Sequence, residues 1–166
     1  MHRKVAMLLP VALLPALLLA CGGSSSGSGS GSSGNGSLSK SSFASKSNGY
    51  CTQASAQRSE VSTAVPSGRQ PTAQDADKVI AIDRELIRKI DALVPPDSEQ
   101  DQVDQLLDLL HQRIAVEEQL RASIANGTPS SDPATVKLGE QIAQIDQKSA
   151  KIAKPLGLTS CIRQGA

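Results

Sequence analysis

Between Pro71 and Gly157 the chain carries three stretches in which apolar residues recur every three or four positions, each opened by a capping residue and closed by proline or glycine. Residues at that spacing share one face of a helix. In the first stretch Thr72 and Asp75 make a capping box behind Pro71, and Val79, Ile82, Leu86, Ile90 and Leu93 follow as far as Pro95-Pro96. The second opens at Asp97 or Ser98, with Asp101 and Asp104 near its positive end. Val103, Leu106, Leu107, Leu110, Ile114, Leu120 and Ile124 line one side until Asn126-Gly127 offers a left-handed cap. The third starts at Asp132-Pro133 and sets Leu138, Ile142, Ile145, Ser149 and Ile152 at heptad spacing before Pro155 and Gly157. A further helix is expected ahead of these over Tyr50 to Val65, with Cys51, Ala54, Arg58, Val61 and Val65 inward. Alternating runs that would read as strands are missing, as is any repeat of 20 to 50 residues. The pattern predicts an all-α fold, an antiparallel up-down-up-down four-helix bundle over residues 50–166. Heptad spacing would also allow a coiled-coil oligomer, but proline-punctuated loops favour packing within one chain.

The N-terminal part reads differently. Arg3 and Lys4 precede Val5 to Leu19, an uncharged run broken by Pro10 and Pro15. It is shorter than the ~20 apolar residues of a membrane-spanning helix and has the build of a secretory signal over residues 1–20. Its end, Leu18-Leu19-Ala20-Cys21, resembles the lipobox of bacterial lipoproteins. That resemblance implies that Cys21 becomes the first mature residue and receives a diacylglyceryl group. Durable membrane attachment needs at least two acyl chains, which such a group supplies. Gly22 to Gly36 contains only Gly, Ser and one Asn, so residues 21–49 are expected to form a flexible tether with a root-mean-square reach of roughly 30 Å.

The chain has 17 Lys and Arg against 16 Asp and Glu. Loss of Arg3 and Lys4 with the signal leaves it near neutral, without the basic field that nucleic acid requires. One Phe and one Tyr provide no stacking platform for nucleobases or, by the same geometry, for sugar rings. Motifs for chemistry are weak. His111 is the only histidine after the signal, and Asp108-Leu109-Leu110-His111 gives one copy of an acid-x-x-His step that di-iron bundles carry twice. Asp97, Glu99, Asp101 and Asp108 fall at calcium-loop positions, but Gln102 stands where that loop needs glycine. An acidic helix start accounts for the same residues. Asn126-Gly127-Thr128 matches a glycosylation acceptor and is better read as a helix-ending turn. The sequence therefore predicts no enzyme, no metal site and no cofactor.

Charge on the apolar stripes is more informative. Glu117 falls between Leu110 and Ile124, with Arg113 and Arg121 one turn to either side, and Asp83 lies among Ile82, Leu86 and Ile90. Antiparallel pairing through Pro95-Pro96 brings Arg113 within a turn of Asp83 and puts Arg58 at the same level. These four, Arg58, Asp83, Arg113 and Glu117, form either a charged layer that fixes register or the lining of a cleft for an anionic ligand. The layer is the simpler reading, because paired charges set register at a desolvation cost and long arginines snorkel.

The lipobox, the Ser/Gly tether, the helical region and the ending Leu156-Gly157-Leu158-Thr159-Ser160-Cys161 together resemble small uncharacterised lipoproteins of high-GC, actinobacterial-type bacteria. The resemblance implies location and architecture and carries over no catalytic residue. With Cys21 lipidated in an oxidising compartment, Cys51 and Cys161 are left as the disulfide pair. The expected protein is an extracytoplasmic lipoprotein, attached to the membrane through its lipid, that serves as a non-enzymatic binding or structural module of the cell envelope. An envelope protein is a candidate partner. The alternative is a carrier or sensor for a small apolar or anionic ligand in the bundle core.

Overall fold

The computed structural model describes residues 36–162. The expected signal over 1–20, Cys21 and the expected tether as far as residue 35 lie outside the described residues. Four α-helices occur among those described, and no strand: α1, Lys40–Thr63; α2, Ala73–Asp91; α3, Gln100–Ala125; and α4, Pro133–Ala153. Short 3₁₀ turns precede α3 at Asp97–Glu99 and follow α4 at Thr159–Cys161.

Helix boundaries follow local chemistry. At the start of α2 the Thr72 hydroxyl accepts from the Asp75 N–H at 3.3 Å while the Asp75 carboxylate accepts from the Thr72 N–H at 3.0 Å. These are the reciprocal bonds of the expected capping box. Asp132 caps α4 by accepting from the N–H groups of Ala134 and Thr135, with Pro133 in the first turn. α3 and the turns after α4 stop in the same way. Gly127 (φ 70°) and Gly157 (φ 75°) take the left-handed conformation. The N–H groups of Thr128 and Leu158 reach back to the carbonyls of Ser123 and Ala153, a Schellman arrangement that satisfies carbonyls left over at a helix end.

α1 departs from expectation. It begins at Lys40, ten residues before the predicted Tyr50, so the last third of the proposed tether is helix and the folded region starts well ahead of residue 50. The Ser39 hydroxyl caps it by accepting from the Ser42 N–H at 3.2 Å. Phe43, Ser47, Cys51 and Ala54, at spacings of four, four and three, are buried along one face. Just ahead of the helix, the Leu38 N–H bonds to the Val94 carbonyl at 2.8 Å, and Lys40 pairs with Glu99 at 2.8 Å. The serine-rich composition that suggested a coil serves instead as a small-residue surface against which other segments pack closely.

α1 packs on α2, α2 on α3 and α3 on α4, whereas the remaining side of α1 is covered by the segment after α4. In that segment Leu156 and Leu158 are fully buried. Asn48 grips it with both ends of its amide, donating to the Gly157 carbonyl and accepting from the Ser160 N–H, each at 2.8 Å. The Cys51–Cys161 disulfide, with Cα atoms 5.0 Å apart, locks it to α1. The pairing is the one expected, but Cys51 lies in the interior of α1 and not at its start. The core comprises Phe43, Ile87, Ile90, Val103, Leu106, Leu107, Ile114, Ala153, Leu156 and Leu158, among others.

Candidate functional site

Below this core the helices meet through charge. Arg113 of α3 is 6% exposed, Asp83 of α2 4% and Glu117 of α3 8%. The Arg113 guanidinium donates through Nη1 to Asp83 Oδ2 at 3.0 Å and to Glu117 Oε1, and through Nε to Asp146 Oδ1 of α4 at 2.9 Å. Arg58 of α1 donates to the other Asp83 oxygen. All four helices thus contribute to one layer, and the four residues expected from the sequence, Arg58, Asp83, Arg113 and Glu117, come together. Charge in a low-dielectric interior is tolerated only when paired and hydrogen-bonded, and each bond here is charge-assisted.

Asp146 was not foreseen. It follows Ile145 and precedes Ser149 by three residues, so the heptad stripe of α4 already places it inward, and that spacing was the available signal. Arg121 goes the other way. It leaves the layer for the surface, where it forms a two-pronged pair with Asp77 at 2.9 and 3.0 Å. That pairing holds the Asp77 carboxyl below its ordinary range.

On the side of the layer away from the disulfide the bundle opens. A cleft of about 620 Å³ lies between the end of α1, the start of α2 and the later turns of α3, with Ile142 reaching it from α4. Val61, Val65, Val79, Leu120 and Ile124 form aliphatic walls, Arg113 and Glu117 border it from the charged layer, and the Arg69–Asp75 pair at 3.0 Å stands on its wall. Thr72, through its N–H and hydroxyl, holds Asp75 at a pKa of about 2, with Arg69 adding to the effect. The cleft has a sequence cause. Past Arg58, α1 offers Ser59, Glu60, Ser62 and Thr63, and beyond its end Ala64, with Val61 and Val65 the larger apolar groups. The helix then stops and the chain turns through Pro66 to Pro71 without filling the space.

A second cavity of about 530 Å³ borders the first. The two share Pro71, Leu120 and Ile124, and the second adds Gln70, Thr128, Pro129, Ser130 and Thr135. Thr135 is 8% exposed and its hydroxyl has no hydrogen-bond partner.

The weaker sequence candidates lie elsewhere. His111 and Asp108 are exposed on α3. The calcium-loop spacing falls on a 3₁₀ turn that runs straight into α3, with Glu99 paired to Lys40, so no loop wraps a cation there. Asn126-Gly127-Thr128 is the helix-ending turn described above. Among the described residues no group of three or more His, Cys, Asp or Glu side chains is placed to hold a metal, and no helix is long and apolar enough to cross a membrane. No family model, curated protein or solved structure matches the chain.

Proposed function

We propose that this chain is a lipid-anchored, extracytoplasmic binding module of the cell envelope, and that the aliphatic cleft is its working surface. The observation that carries the reading is the cleft itself. Its volume lies inside the ~300 to 1,000 Å³ range of small-molecule sites, and its mostly apolar walls with few polar groups match their usual chemistry. This favours the carrier or sensor version of the module over a purely structural one. A binding role is preferred to an enzymatic one because the buried carboxylates and guanidiniums in and beside the cleft are engaged with one another.

The anchoring part of the proposal stands on Leu18-Leu19-Ala20-Cys21 behind Arg3 and Lys4. The disulfide is consistent with it, since such bonds persist in oxidising compartments. For the bundle we infer an up-down-up-down course. Pairs of decreasing and increasing number support it, with Gln53 on Lys89 and Arg58 on Asp83 across α1 and α2, and Asp83 on Arg113 and Asp77 on Arg121 across α2 and α3.

Two measurements test the proposal. Mass spectrometry of the N-terminal peptide from envelope-purified protein is expected to show a diacylglyceryl-modified Cys21 as first residue; an unmodified Cys21, or a chain retaining Met1, rejects the anchor. Titration with an apolar fluorophore such as anilinonaphthalene sulfonate is expected to give saturable binding that Val79→Phe abolishes. Undiminished binding to that variant rejects the cleft as the site.

A further inference from the structure

Resting on the cleft reading, we propose that the segment from Val65 to Pro71 is a gate: a small turn, latched to α2 by the Arg69–Asp75 pair, past which an apolar molecule enters and leaves the cleft. Placement is the first argument. Val65, Pro66, Ser67, Gly68, Arg69 and Pro71 all border the cleft between the end of α1 and the start of α2. One whole side of the cleft is therefore loop and not helix.

Construction is the second argument. The Arg69 N–H bonds to the Pro66 carbonyl at 3.0 Å and Gly68 has φ 86°, at the third position, which a type II turn reserves for glycine. A hydrogen-bonded turn of this kind moves as one body. To either side the fastening is slight. The Val65 N–H bonds back to the Ser62 carbonyl at 3.2 Å, and the chain is next held at the Thr72 cap. Every residue from Pro66 to Pro71 is exposed, and a segment with little buried surface and few bonds to the rest of the molecule opens at low cost.

The latch is the third argument. Arg69 Nη2 donates to Asp75 Oδ2 at 3.0 Å, the one side-chain bond from the turn to a helix among the described residues. With 39% of the Arg69 side chain open to solvent, the pair is weak and screened by salt, which suits a latch that has to release. Asp75 does not depend on it. The Thr72 N–H and hydroxyl hold the carboxylate at 3.0 and 2.7 Å, so the receiving half and the α2 cap stay in place when Arg69 lets go.

The test uses the full chain and N-phenyl-1-naphthylamine, an uncharged apolar fluorophore, followed by stopped-flow mixing. Arg69→Ala, first checked for an unchanged melting temperature, is expected to raise the association and release rates together, by up to about fivefold, the worth of one exposed ion pair, and to leave Kd unchanged within about twofold. Arg69→Lys keeps a charge for the single bond and is expected to restore the slow rates. In about 1 M salt, where the screening length is ~3 Å, the rates of the unaltered chain are expected to rise toward those of Arg69→Ala. Gly68→Ala, whose Cβ would meet nothing within 4 Å but whose φ suits glycine, is expected to loosen the turn and speed both rates. Unchanged rates in Arg69→Ala, or a difference from the unaltered chain that salt does not narrow, overturn the gate and leave the cleft reading standing. So does faster release alone with Kd weakened in proportion, which would make Arg69 a contact for the fluorophore and not a latch. If the fluorophore does not bind saturably, or binds Val79→Phe undiminished, the cleft reading fails and the gate with it.

Discussion

The two sides of the charged layer are built from the same four helices yet reach different degrees of closure. Toward the disulfide, Phe43, Ile90, Val103, Leu156 and Leu158 are at most 2% exposed. Away from it, Val61, Val65, Val79, Leu120, Ile124 and Ile142 remain half-buried around two cavities. Hydrophobic content does not explain this, since α1 on the closed side is about half serine, alanine and glycine. The difference is whether the gap beside α1 is filled. The segment from Leu156 to Cys161 fills it at one end, held by Asn48 and the disulfide, and nothing among the described residues fills it at the other. Closure here comes from a cover and not from greasier helices.

If the disulfide holds that cover in place, its loss should have the largest effect on the comparison. Cys51→Ala with Cys161→Ala is expected to lower stability by about 4 to 5 kcal/mol from loop-closure entropy alone, read as a shift in the denaturant midpoint, with reduction giving the same result. A shift below about 1 kcal/mol would mean that the cover holds itself. Next, Phe43→Ala is expected to cost about 3 to 5 kcal/mol as a core cavity, and Val65→Ala about 1 kcal/mol or less, as for a half-buried site. Equal costs would erase the distinction between the two sides. Arg113→Ala, at the boundary, is expected to cost about 3 to 5 kcal/mol, because it strands Asp83 and Asp146 with part of their pairing gone.

Smaller effects sharpen the contrast. A Cβ at Gly49 in α1 or at Gly139 in α4 meets nothing within 4 Å, so Gly49→Ala and Gly139→Ala should each raise stability by about 0.5 to 1 kcal/mol. The gain should be the same on both sides, since it is local to the helix. Asp75 gives a pH signature for the open side. Its folded pKa of about 2 lies below the ordinary 3.8 of an aspartate, so its contribution is complete above about pH 4 and is lost as pH falls toward 2. Melting followed across that range is expected to show a slope that Asp75→Asn removes.

Much of this was legible in the sequence, and the failures share a cause. The capping box at Thr72, the Asp132 cap, the turns at Gly127 and Gly157 and four members of the charged layer follow from spacing and local chemistry, and the cysteine pair follows from parity once Cys21 is set aside. The start of α1 does not. Its buried face is Phe43, Ser47, Cys51 and Ala54, and only Phe43 stands out as apolar in a serine-rich run, so neither composition nor periodicity separates it from a linker. The α2 stripe is also rotated, with Ile80 and Ile87 more deeply buried than Val79 and Ile82. A 3.6-residue period fixes the width of a face better than its centre. Asp146 was hidden by habit, since an acid next to an apolar stripe ordinarily points to water. The cleft was invisible because it is an absence, set by where α1 ends.

The disulfide also changes how the molecule would answer to tension. A pull between residue 36 and residue 162 passes through the first turns of α1, crosses from Cys51 to Cys161 and leaves. The later part of α1 and all of α2, α3 and α4 sit on a closed covalent ring outside that route. Only the stretch from residue 36 to Cys51 can pay out, about 50 Å at ~3.4 Å per residue, after which the covalent path has no slack left. A tug between those two residues is carried through Phe43 and Ser47, and the covalent path that bears it does not run through Leu120.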